Sequence, residues 1–163
     1  MFNTQFNAGP SRQAIRNALA RLEDMTPLFR DITEHMIRAT RERFAKGVAP
    51  DGSAWPAKSQ ATLDRYRRLG YGSLVRPLIG PSRRLGREIV GQPGPNRTII
   101  GSALIYSGVM QQGAARGAFG TDRHGRPIPW GRIPARVWLG ISREDDAAIA
   151  AMADRHAERA LES

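Results

Sequence analysis

Cysteine is absent from this 163-residue chain, which excludes disulfide frameworks, thiolate nucleophiles and cysteine-ligated zinc. Lysine is scarce too: Lys46 and Lys58 stand among 25 basic residues, and the rest are Arg. Histidine is confined to His35, His124 and His156. No two of these have the i, i+4 spacing of a helical metal pair, and HExxH is missing. GxGxxG and GK[ST] loops are missing as well, so nucleotide binding has no support. No apolar run approaches the roughly 20 residues of a membrane-spanning helix. The opening stretch MFNTQFNAGPSRQ has neither the basic nor the apolar region of a signal peptide. A soluble protein made in the cytosol is the expectation.

What is present is ordinary in amount and uneven in placement. Hydrophobic residues make up 40% and charged residues 25%, as in a globular domain. The net charge of +10 is segregated: residues 1–40 carry five basic and four acidic side chains, 41–136 carry seventeen and five, and 137–163 carry three and six. Arg pairs bidentately with carboxylate or phosphate. A basic middle therefore points to nucleic acid or to an acidic protein face.

Ser11 reads as an N-cap, with Ile15, Leu19 and Leu22 following at helical spacing. Thr26-Pro27 reads as the cap and first-turn proline of a second helix. Leu28, Ile32, Met36 (or His35) and Phe44 continue an apolar stripe to a stop at Gly47. The expectation is two helices, or one kinked helix, over 11–46. VAPDGSAWPAK (48–58) is turn chemistry, with Trp55 folded back onto the core. Ser59 caps a short helix with Leu63, Tyr66 and Leu69 on one face, and another starts at Ser82 and includes Leu85. Ile89-Val90 and Thr98-Ile99-Ile100 flank a turn-rich segment and predict a hairpin.

Leu104-Ile105-Tyr106 reads as a strand or as the start of a helical piece through Met110. Residues 113–131, GAARGAFGTDRHGRPIPWG, have no periodicity, and a loop this long is usually functional or mobile. Ile133 to Ile141 alternate as a strand does. Ser142 caps a last helix whose Glu144, Asp145 and Asp146 complement its dipole. Its apolar face is Ile149, Met152 and His156, or Ala153 and Ala160, with His156 near the surface. The fold class expected is α+β in one domain, 1–163. It comprises a helical part (11–46), a mixed core (48–142) with a small, mainly antiparallel sheet and a mobile loop (113–131), and a C-terminal helix (143–161).

Catalytic constellations are not found. Asp145 and Asp146 are adjacent on a helix and diverge by about 100°, so they do not converge on one ion. Ser102 and Ser107 have no base that sequence nominates. The clusters Arg65-Arg67-Arg68 and Arg83-Arg84-Arg87 read either as contacts to phosphates or an acidic partner, or as solvated helix faces. No recognised nucleic-acid motif accompanies them. Arg136 reads as a structural ion pair or backbone bond, with phosphate contact as the other choice.

Four phrases stand in order along the chain. The first is Arg43-Phe44, then PDGSAWP (50–56), SQATL (59–63) and Tyr66-Arg67. The second runs from Pro77-Leu78 through Arg84-Leu85 to Arg87. Ile100-Gly101-Ser102 with Tyr106 and Gln112-Gly113 make the third. IPAR (133–136) with LGIS (139–142) and Asp145 make the fourth. Over about residues 41–150 they resemble the phage virion morphogenesis, or tail completion, family of Mu-like and P2-like phages. Departures are Ser107 for the usual Ala, Met110-Gln111, Pro81-Ser82, and Val137-Trp138 for Pro-Phe; they touch packing detail.

The resemblance implies a virion protein of the neck, joining head to tail as a component of a homo-oligomeric ring, without catalysis; from the residues themselves no cofactor or metal is expected. It further implies neck, portal-connector or tail proteins as partners, and assembly in the host cytoplasm. Residues for subunit or neighbour contact are Phe119, Arg123, Arg126 and Trp130, the last equally readable as an anchor buried on its own subunit. Residues for the DNA channel or an acidic partner are Arg65, Arg67, Arg68, Arg83, Arg84 and Arg87. The competing class is a nucleic-acid-binding accessory protein without sequence specificity.

Overall fold

The computed structural model describes residues 9–162. Helix α1 spans Gly9–Glu23 and α2 spans Thr26–Lys46. Ser11 is already helical and does not cap α1. The break between the two helices falls where expected, one residue earlier in detail. Met25 is the N-cap of α2 without a side-chain bond, Pro27 sits in the first turn, and the Asp24 carboxylate accepts from the Thr26 N–H at 3.0 Å. The Thr26 hydroxyl, and then that backbone bond, hold the Asp24 carboxyl below the usual carboxylate range. Gly47 ends α2 in the left-handed region at φ 76°, where a Cβ would be strained.

Next comes a small turn-built lobe. Ala49 and Ser53 pair across Pro50-Asp51-Gly52, and Trp55 returns its N–H to the Gly47 carbonyl at 3.0 Å. Helix α3, Gln60–Arg68, is capped by Ser59, and α4 is one turn, Arg84–Arg87. No residue of α3 is buried and Leu69 is 56% exposed, so the expected apolar face is thin. Strands β1 (Val90–Pro93) and β2 (Thr98–Gly101) form the predicted antiparallel hairpin, with Gly91 opposite Ile100. Leu104-Ile105-Tyr106 is no strand but a turn that leads into helix α5, Ser107–Gln112, and α6 runs Arg143–Leu161.

Two apolar clusters sit along α2. Phe44, Trp55, Leu85, Ile89, Leu104 and Trp138 form one; Phe44 meets Trp55 edge-on at 5.2 Å between ring centroids. Such an aromatic pair contributes about 0.5–1.5 kcal/mol beyond its buried area. Leu28, Ile32 and Met36 form the other, against Ile149, Met152 and Ala153 of α6. Ile100 packs against both. The hairpin can lie on α2 because Gly91 has no side chain: a Cβ there would stand 2.2 Å from Thr33 Cγ2. The result is the α+β arrangement expected, with a two-stranded sheet and a C-terminal helix.

The strand expected over 133–141 does not form. The segment is extended and its alternation is real, but Arg136 and Trp138 point inward while Val137 and Ile141 face solvent. Its backbone makes one isolated bridge, Ile133 to Ala114, and the Arg136 N–H meets the Met110 carbonyl, while at 138–139 it meets the side chain of Gln111 instead of a neighbouring strand. Among the described residues no helix is long and apolar enough to cross a membrane.

Candidate functional site

The longest irregular segment, 113–131, folds back on itself as an arm. Phe119 N–H donates to Ile128 C=O and Ile128 N–H to Gly120 C=O, both at 2.8 Å, and Asp122 pairs with Arg126 at the tip. The Asp122 carboxylate accepts from the His124 and Arg126 N–H groups, which closes the turn. At the base, Ala114 and Ile133 exchange both backbone bonds. Gly113, at φ 75°, is required there: a Cβ would stand 2.6 Å from the Ile133 carbonyl oxygen.

The arm presents apolar side chains outward. Phe119 is 55% and Trp130 69% exposed, with Ile128 beside them. Trp130 is therefore not an anchor buried on its own subunit. The Arg126 guanidinium lies over its ring at 6.0 Å, while Arg123 reaches His124. These four candidate residues thus share one projecting element.

The two arginine clusters differ. Arg65, Arg67 and Arg68 occupy the last turn of α3, where positive charge suits the helix C-terminus. Arg67 pairs with Asp64, and all three are exposed. Arg83 takes a left-handed turn into α4, Arg84 holds Glu88 through two bonds, and the Arg87 carbonyl accepts from Arg41. Arg84 alone of the six borders a cavity of about 630 Å³ between α3, α4, α5 and the 129–136 segment.

Sequence reasoning missed that cavity. Its apolar wall includes Leu78, Leu85, Met110 and Ile133, and its charged residues are Lys58, Arg84, Arg132 and Arg136. The Lys58 ammonium donates to the Leu74 and Ile79 carbonyls and lies over the Tyr66 ring at 4.5 Å. Burial, and then the nearby Arg136, lower its pKa. Arg136, 8% exposed, donates to the Pro56 and Ala57 carbonyls at 2.7 and 2.8 Å. This is the backbone bond expected of it, and burial lowers its pKa. No local pattern around Lys58 announced its position; the turn at 74–79 that supplies its carbonyls is what places it.

A second polar cluster joins α2 to α6. Ser142 and Asp145 form a capping box, and Asp145, only 3% exposed, also pairs with Arg43 and His35. Asp145 is thus more than a complement to the helix dipole. His156, expected near the surface, has a buried Nε2 without a hydrogen-bond partner. Among the described residues no group of His, Asp and Glu is arranged to hold a metal ion.

The geometry is that of a small α+β protein whose conspicuous polar groups serve packing and whose apolar side chains project from an arm. Residues 7–158 match the model of the phage virion morphogenesis family, and the chain belongs to that family. Membership carries a structural or morphogenetic role in the phage virion and association with it. No curated protein and no solved structure matches the chain.

Proposed function

We propose that this protein is a non-catalytic structural component of the virion neck, joining head to tail as one subunit of a homo-oligomeric ring. The observation that supports this reading is the distribution of exposed apolar side chains. Ile15, Leu19 and Leu22 form a stripe on α1, Val90 and Ile99 lie on the outer face of the hairpin, and Phe119 and Trp130 project from the arm. Three separated apolar surfaces on one small subunit suit a part that is covered by several neighbours at once. The neighbours are further copies of itself and other neck, portal-connector or tail proteins. Exposed Arg65 and Arg68 tolerate passing DNA without reading its sequence.

Electron microscopy of a lysate from the parent phage with an early stop codon in this gene tests the reading. Filled heads beside separate, complete tails are expected. Intact virions, or a block in replication or capsid formation, would overturn it and favour a nucleic-acid-binding accessory role.

A further inference from the structure

The cavity beside α5 carries uncompensated positive charge. Lys58, Arg132 and Arg136 line it with Arg84, and no carboxylate does. Arg84 is matched by Glu88 outside the wall. Lys58 and Arg136 are met by main-chain carbonyls and a tyrosine ring, groups that satisfy their protons without cancelling their charge. With an apolar floor beneath, such a site takes a carboxylate carried next to an apolar side chain. Duplex DNA is the poorer match, because its phosphates lie on a convex surface and offer nothing to Leu78, Leu85, Met110 and Ile133.

The chain carries the matching combination on α6. Asp154, Glu158 and Leu161 fall at i, i+4 and i+7 and share one stripe. All three are exposed, Leu161 to 75%. Arg155 and Arg159, each next to one of the acids, are turned about 100° away. This end of α6 lies far from its own cavity. The helix starts next to Arg43 of α2, which pairs with Asp145 beside the Trp55 cluster, and runs antiparallel to α2 as far as Arg21 of α1. Its 19 residues span roughly 28 Å.

We propose that the last two turns of α6 dock into this cavity on a second copy of the chain, with Leu161 on the apolar floor and Asp154 and Glu158 facing Lys58 and Arg132. The contact uses two different surfaces, so it is head-to-tail, repeats from copy to copy, and closes into a ring where the rotation allows. It deepens the oligomeric reading given above and rests on it.

Sedimentation velocity of the full chain tests it with a charge swap. The wild-type chain associates in a salt-sensitive manner. Arg132→Glu and Glu158→Arg each weaken association by about tenfold or more. An equimolar mixture of the two variants recovers it, because each cavity then meets a tail of opposite charge. Both residues are exposed, so neither variant alters the core. A wild-type chain that stays monomeric, variants that associate like wild type, or a mixture that recovers nothing would overturn the proposal. So would a monomer whose Tyr66 and Met110 NMR signals move on addition of short duplex DNA, which would assign the cavity to DNA. Failure of the neck reading would show separately, as joined virions in the stop-codon lysate while this association persists.

Discussion

The carboxamide of Gln111 brackets Leu139: its Nε2 donates to the Leu139 carbonyl at 2.7 Å, and its Oε1 accepts from the Leu139 N–H at 3.1 Å and the Trp138 N–H at 2.9 Å. One side chain therefore stands in for a strand edge. Gln111→Leu leaves three partly buried backbone groups unmet and is expected to cost about 2–4 kcal/mol. Thermal unfolding should drop by about 5–12 °C. A melting temperature unchanged from wild type would show that the 138–139 backbone is held by other means.

Asp145 gives the fold an acid-sensitive joint. Burial alone would raise its pKa, but the Ser142 N–H and hydroxyl, Arg43 and His35 together outweigh burial and hold the carboxyl below its ordinary 3.8. A group with a depressed native pKa binds its proton more readily in the unfolded chain. Its contribution is present in full above about pH 4 and fades as pH falls through the native value. Asp145→Asn leaves the buried Arg43 without its anion, so a loss of about 3–5 kcal/mol is expected at neutral pH. Urea midpoints of wild type and variant between pH 2 and 7 check this: the two curves should converge in acid and separate above it.

Gly91 and Gly101 predict opposite outcomes within one hairpin. Alanine at 91 drives its Cβ into Thr33, a buried residue bonded to Thr98 at 2.6 Å, and overpacking of this kind costs about 1–3 kcal/mol. Alanine at 101 meets nothing within 4 Å and is expected to be neutral or stabilising by up to about 1 kcal/mol. Denaturant unfolding of the two variants side by side decides it.

The arm separates assembly from stability. Phe119→Ser and Trp130→Ser alter exposed side chains, so melting should shift by no more than about 2 °C. If these rings anchor a neighbour, each is expected to contribute about 2 kcal/mol to the contact and its loss to lower joining more than about tenfold. Plaque titre and electron microscopy of complemented stop-codon phage provide the measurement. Full titre with both rings removed would take the arm out of the interface.

Much of this organisation was legible because its signals are local. Gly47, Pro27, Ser59 and the Ser142–Asp145 box mark element boundaries through chemistry within four residues of each boundary. The stripe Leu28, Ile32, Met36 and Phe44 revealed the buried side of α2 for the same reason. The 133–141 segment misled because alternation reports an extended backbone with two unlike faces and is silent on what pairs with its edges. Here the partner is a side chain from α5. The cavity was illegible for a related cause: Lys58 and Arg136, which line it with Arg132, are held by carbonyls 16 to 80 residues away in sequence that leave no compositional trace. The exposure of Phe119 and Trp130 was easier to anticipate, since a Gly- and Pro-rich run gives large rings little to pack against.

Ile100 belongs to both apolar clusters, and α2 runs beneath both. Closely packed interiors deform little and pass strain onward. The hairpin thus works as a splice plate riveted along a beam. A push or a twist delivered at the far end of α6 reaches Trp138 and the root of the arm as displacement, with little lost to bending. Were the subunit seated between head and tail as proposed, tension applied at one coupling would be felt at the other.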